Sequence, residues 1–317
     1  MYIIIIIHDL TIFFKGKLNK MKKQMIFGGA GTALITPFKS GRIDFAALED
    51  IIEKQIKAKI PALIIGGTTG EAATLSDVER YTLFEFAKEK AAGRVKLIFG
   101  TGTNDTRAAV RHTKRAEAIG CDGVLVVTPY YNKGTYSGVV RHYEEISKAT
   151  SLPVILYNVP SRTGVNLTES QLKQLSNIKN VVAIKEAGDS MDRYVSLSAL
   201  TDSLALYAGN DSQIYTTLAL GGHGVISVLS NVCPRLAVAI CESFFNGEYE
   251  KSRELQIKAL PLISALFAET NPAPVKYAMK KLGLCENSLR LPLLPVPEET
   301  EKKIDTVLES EFIQAYL

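Results

Sequence analysis

The residue with the most chemistry to offer is a lysine at the end of an apolar run. Lys185 directly follows Val181–Ile184, so its amine should emerge from an apolar wall rather than from a solvated face. Burial disfavours the ammonium and lowers a lysine pKa, and a neutral amine can attack a ketone to form a Schiff base, an electron sink for the adjacent carbon. The same position also suits a lysine that snorkels outward or pairs with Glu186. Schiff-base formation needs a group to carry protons to and from the carbinolamine oxygen. Tyr157, one apolar run earlier, can do this if its hydroxyl is held by hydrogen bonds; it could equally be a buried aromatic with a satisfied hydroxyl. Gly66, Gly67 and Gly70 around Thr68–Thr69 can free backbone N–H groups for an anion, or simply make a tight turn. Arg162, in the loop after Tyr157–Asn158, could clamp a carboxylate in bidentate fashion or lie on the surface.

These residues recur at the ends of short apolar runs, and the runs define the fold. Thr32–Thr36, Ala62–Ile65, Lys96–Phe99, Gly123–Val127, Val154–Leu156, Val181–Ile184, Ala205–Ala208 and Val225–Val228 read as strands. They are spaced by roughly one strand–loop–helix–loop unit of 20 to 34 residues. Between them, Phe45–Lys59, Asp77–Ala92, Thr106–Ile119 and Tyr136–Ala149 have helical period. The runs are apolar throughout, as when both sheet faces are covered. The pattern predicts an α/β chain, a (β/α)8 TIM barrel over residues 25–231, with an open doubly wound sheet as competitor. No GxGxxG follows a strand, which weakens the dinucleotide-binding form of that competitor. Strand signals stop near residue 232, and helices at Arg235–Phe245, Tyr249–Phe267, Pro274–Leu282 and Glu298–Ile313 predict a C-terminal helical domain over 232–317. Side chains past the strand ends of a barrel share one mouth. Here those are Thr68, Thr69, Asn104, Thr128, Tyr130, Tyr131, Tyr157, Asn158, Lys185, Asn210, Asp211 and Ser227.

Composition narrows the function classes. With 46% apolar and 22% charged residues, the 317-residue chain reads as globular rather than disordered. Residues 1–24 hold five lysines against one acid, which accounts for the whole formal charge of +4. The remainder is neutral, and this argues against a nucleic-acid partner. The apolar stretches Tyr2–Ile7 and Leu10–Phe14 are interrupted by His8 and Asp9, too short to span a bilayer and without signal-peptide features. Residues 1–24 are therefore expected to be a disordered or artefactual extension, Met21 and Met25 being in frame. Cys121, Cys233, Cys241 and Cys285 are far apart and the four histidines form no ligand cluster, so neither disulfides nor a metal site is expected. The lack of export signals and of paired cysteines predicts a cytoplasmic protein.

Taken together, GGTTGE (66–71), GTGTN (100–104), TPYYNK (128–133), YNVPSRTG (157–164), AIKEA (183–187) and GGHGVISV (221–228) resemble the dihydrodipicolinate synthase family of pyruvate-dependent class I aldolases. The resemblance implies a lyase that condenses pyruvate with L-aspartate 4-semialdehyde, a step of diaminopimelate and lysine biosynthesis, and a barrel assembled as a homotetramer, a dimer of dimers. It implies that Lys185 forms the Schiff base and that Tyr157 is the proton donor and acceptor. Thr69 would link Tyr157 to Tyr131, which in the family reaches into the neighbouring subunit's site. Thr68 and Thr69 would hold the pyruvate carboxylate, and the carbonyl of Ile226 would lie near the lysine amine. Arg162 would bind the carboxylate of the aldehyde, with Gly209 and Asn210 beside the pocket. No external cofactor is implied, since the lysine is itself the electron sink. The alternatives are another aldolase of the same fold, acting on N-acetylneuraminate or a 2-keto-3-deoxy sugar acid, and a non-catalytic ligand-binding barrel. Two features depart from the family. Gly134 stands where proline is usual, and Ala72, Asp77 and Ala108, with Arg80, replace side chains that bind lysine in feedback-sensitive members. The expectation is weak or absent lysine inhibition.

Overall fold

The computed structural model describes residues 25–317. The expected extension at 1–24 lies outside the described residues. In chain order the strands are β1 (Gly29–Ala33), the two-residue strands β2 (Phe38–Lys39) and β3 (Arg42–Ile43), then β4 (Ala62–Ile65), β5 (Lys96–Gly100), β6 (Gly123–Val127), β7 (Val154–Asn158), β8 (Val181–Glu186), β9 (Ala205–Ala208) and β10 (Gly224–Ser227). All but β2 and β3 are parallel neighbours in a closed barrel, ordered β1-β10-β9-β8-β7-β6-β5-β4. Closure runs through Gly29↔Gly224 on one side of β1 and Gly31↔Ala62 on the other. The chain is therefore a TIM barrel followed by C-terminal helices.

Each strand divides its side chains between two cores. Ala62, Ile64, Ile98, Leu125, Ile155, Ala183, Tyr207 and Ile226 fill the barrel interior. Leu63, Ile65, Leu97, Val124, Leu156, Ile184 and Leu206 pack outward under the helices. Burial on both faces is why these runs carry no polar alternation. The helices over Phe45–Lys57, Asp77–Ala91, Thr106–Ile119 and Tyr136–Lys148 lie within two residues of the expected bounds. Beyond the barrel, the helix Pro234–Phe245 packs on β1 and on the long helix Tyr249–Leu266, while Ala273–Lys281 packs against Glu298–Leu308.

Three expectations are corrected. The first strand begins at Gly29, not Thr32, and ends at Ala33. A Cβ on its partner Gly224 would stand 1.9 Å from Gly29 O, so the pairing uses glycines that apolar patterning passes over. β7 and β8 run two residues further than their apolar cores, so Tyr157, Asn158, Lys185 and Glu186 belong to strands rather than to the loops after them. The last helical stretch breaks into Glu298–Leu308 and Glu311–Gln314, with Ser310 capping the second.

Candidate active site

Strand alternation decides where Lys185 points. Ala183 faces the barrel interior and Ile184 the helices, so Lys185 turns inward and Glu186 outward. Lys185 is 5% exposed, which rules out outward snorkelling. Pairing with Glu186 is ruled out too. That fully buried carboxylate accepts from Asn158 Nδ2 (2.9 and 3.0 Å), Gly188 N (2.9 Å) and Arg193 Nε (3.2 Å).

The register of β7 slips once along β8, between Val154 and Ile155, and then sets Tyr157 opposite Lys185. The Lys185 Nζ lies 4.3 Å from the Tyr157 ring centroid. On the other side, Tyr207 is the β9 partner of Lys185. Its hydroxyl donates to Phe27 O and its ring stacks on Phe27, while burial pushes its pKa up. Of the two tyrosines flanking the lysine in the sheet, Tyr207 is thus committed to the backbone. Asp211 lies within the electrostatic reach of Lys185. Burial raises its pKa, opposed by Ser227, by the amides of Leu229 and Val228 (both 2.9 Å to Oδ2) and by the lysine charge.

Above these side chains a cavity of about 450 Å³ opens at the C-terminal ends of the strands, lined among others by Thr68, Tyr130, Tyr157, Arg162 and Asn271. Thr69 is buried, and its hydroxyl accepts from Asn271 Nδ2 at 3.0 Å. Its partner is therefore an asparagine of the C-terminal region. Arg162 sits in the short helix Pro160–Thr163, and its Nη2 donates to Asn271 O at 3.0 Å. The loop carrying Thr68 and Thr69 is pressed onto β5: a Cβ on Gly100 would lie 2.2 Å from Gly66 O. Arg80 fastens the same loop, donating from Nη2 to Ala72 O (2.7 Å) and from Nη1 to Gly100 O (3.2 Å). Glu71 forms a buried ion pair with Lys276 of the helix Ala273–Lys281.

The remaining sequence-predicted residues divide. Ile226 lies in the barrel interior, and Gly209 N donates to Glu186 O. Asn210 donates to Gln213 Oε1 within its own turn (3.2 Å) and to Gly188 O of the loop after β8 (3.4 Å). Tyr131 is not brought to the site of its own chain. It is 88% exposed, at a φ of 69°. Asn271, Tyr207 and Lys276 were not found by sequence reasoning, and Arg80 was marked only as a departure from the family's lysine-binding positions, not as a residue that fastens this loop. Asn271 stands in a proline-rich turn over 200 residues from its partner Thr69, so no local signal marks it.

A second cavity of about 480 Å³ lies at the opposite end of the barrel, lined by Gly29, Pro61, His223 and Phe245 among others. Among the described residues there is no cluster of His, Cys, Asp and Glu able to hold a metal ion, and no helix long and apolar enough to cross a membrane. The four cysteines are unpaired. Burial raises the thiols of Cys121 to about 11 and Cys233 to about 12, which leaves them inert as nucleophiles.

The model of the dihydrodipicolinate synthetase family matches residues 26–311. A 4-hydroxy-tetrahydrodipicolinate synthase of Alkaliphilus oremlandii is 48% identical over 280 residues, spanning 88% of this chain and 97% of that one. The crystal structure of dihydrodipicolinate synthase from Thermotoga maritima superposes with a TM-score of 0.88 at 44% identity, covering 90% of this chain and 98% of that one. A monomeric dihydrodipicolinate synthase variant gives a TM-score of 0.89 at 43% identity, covering 92% and 98%.

Proposed function

The chain belongs to the dihydrodipicolinate synthetase family, and on that footing we propose that it is a lyase condensing pyruvate with L-aspartate 4-semialdehyde to 4-hydroxy-tetrahydrodipicolinate. The observation that carries the reading is the inward, 5% exposed Lys185 beside Tyr157. The Lys185 amine attacks the keto carbon of pyruvate, and the carbinolamine loses its hydroxyl as water once protonated, leaving the Schiff base. Loss of a methyl proton gives the enamine, with the imine nitrogen taking up the electron pair. The enamine carbon then attacks the aldehyde, whose oxygen is protonated. The amino group of the adduct finally displaces Lys185 and closes the ring.

Tyr157 serves as the proton carrier in these steps. Thr68 and Thr69 hold the pyruvate carboxylate, with the Ile226 carbonyl near the amine and Gly209 and Asn210 bounding the pocket. Arg162 receives the aldehyde's carboxylate, its guanidinium already steadied by Asn271 O. Tyr131, exposed on a single chain, completes the relay through Thr69 in the site of a neighbouring subunit, which calls for a homo-oligomer, in the family's usual form a homotetramer. The electron sink is the lysine itself, so the chemistry calls for no coenzyme or metal. The protein works in the cytoplasm, on the diaminopimelate route to lysine.

Borohydride reduction in the presence of pyruvate tests the reading: the mass of a reduced pyruvate adduct should appear on Lys185. Turnover with aspartate semialdehyde should far exceed turnover with N-acetylmannosamine. An unmodified lysine, or preference for the sugar, would overturn it. Arg162→Ala should keep the adduct and lose about 10- to 100-fold in kcat/KM for the aldehyde, the worth of a charged hydrogen bond.

A further inference from the structure

We propose that Asn271 is a positioning residue for proton transfer: by donating its side-chain amide to Thr69 it dictates where the Thr69 hydroxyl can send its own proton. The inference rests on the functional reading just given.

A threonine hydroxyl has one proton and two lone pairs. Asn271 Nδ2 occupies one lone pair at 3.0 Å, so the Thr69 proton must point elsewhere. Both residues are enclosed, Thr69 at 3% and Asn271 at 6% exposure, so bulk water does not compete for the hydroxyl. Asn271 also lies on the wall of the cavity shared with Tyr157, and its backbone carbonyl accepts from Arg162 Nη2. One residue of the C-terminal region thus touches both the threonine at the keto-acid end and the arginine at the aldehyde-acid end. Its Oδ1 is buried without a hydrogen-bond partner. Stability alone does not favour an amide so placed, because an unpaired buried oxygen is destabilising. The orientation serves the hydroxyl it holds.

Asn271→Asp tests the direction of the bond. An ionised carboxylate only accepts, so it would draw the Thr69 proton toward itself; the protonated acid can donate again. The variant should lose about tenfold in kcat at pH 8, the consequence of one misdirected hydrogen bond. Activity should recover as the pH falls through the pKa of the introduced carboxyl. The titratable groups sharing the cavity, Glu71, Arg80, His112, Tyr130, Tyr157 and Arg162, are common to both proteins, so the difference between the two profiles reports the new carboxyl. Asn271→Ala, which offers neither direction, should be slow at every pH. Both variants should still trap pyruvate on Lys185 with borohydride, which shows that fold and Schiff base survive. A wild-type kcat and pH profile in Asn271→Asp, or a wild-type kcat in Asn271→Ala, would overturn the proposal. A wild-type chain that traps no pyruvate would remove the functional reading, and this inference with it.

Discussion

Neutralising Glu71 should destabilise the protein severely, and removing its partner as well should restore much of the loss. Glu71 follows Thr69 by two residues, in a left-handed conformation with φ 53°. Its carboxylate pairs with Lys276, and neither side chain has exposed surface. Lys276 Nζ also donates to Ser288 O at 2.8 Å and lies 4.1 Å over the Phe38 ring, while Glu71 Oε2 accepts from Arg290 N at 3.0 Å. Burial depresses the Lys276 pKa, and the carboxylate of Glu71 is the main influence opposing it. In Glu71→Gln the ammonium keeps one carbonyl and a ring face but loses its counter-charge, at a cost of about 3–5 kcal/mol for an unpaired buried ion. Lys276→Met should cost a similar amount by stranding the carboxylate. The double variant buries no charge, so its loss should be smaller than either single loss. The sign of the pH effect follows from the lysine. Its folded pKa is depressed below the unfolded value, so in that interval the unfolded chain holds the extra proton. Stability therefore rises with pH toward about pH 10, and more steeply in Glu71→Gln than in the wild type. Denaturant unfolding of the four proteins at neutral pH and near pH 9.5 measures all of this. Single losses below about 0.5 kcal/mol, or losses that simply add, would refute the account.

His142 is buried with Nδ1 bonded to Thr106 Oγ1 at 2.9 Å, and burial lowers its pKa from 6.5 to about 4. The unfolded chain binds the proton first, so up to about 3 kcal/mol of stability should drain away between pH 6.5 and 4. His142→Gln should flatten that decline in denaturant midpoints, and equal declines in the two proteins would count against it. Gly209→Ala would set a methyl 2.5 Å from Ala187 Cβ and 2.6 Å from Glu186 O, next to the strand that carries Lys185. It should lower stability by about 1–3 kcal/mol through overpacking and slow adduct formation; an unchanged Tm and adduct rate would defeat this. Lysine should inhibit weakly or not at all, because Ala72 and Ala108 lack the hydroxyl and the carboxylate that would meet its charged groups, and the Asp77 carboxylate is paired with Arg111. Half-maximal inhibition at submillimolar lysine would contradict the assignment.

The barrel was legible in the chain because eight strand segments buried on both faces leave eight apolar runs, and the period of about 3.6 residues in the intervening helices is equally local. Lys185 and Tyr157 could be singled out for the same reason: each is a polar residue at the end of a run that has to be buried. Other choices belong to the fold alone. Whether Lys185 turned inward or met Glu186 depended on strand alternation together with the Asn158, Gly188 and Arg193 contacts that engage Glu186 on the outer face. The hydroxyl of Tyr207, the other tyrosine beside Lys185 in the sheet, is taken by Phe27 O, 180 residues away. Thr69 meets Asn271 across 202 residues, and Glu71 meets Lys276 across a similar span. Periodicity reports the burial of a segment, since burial repeats with the local backbone. A hydrogen bond between distant loops has no period, and only closure of the barrel against its C-terminal helices brings those partners together.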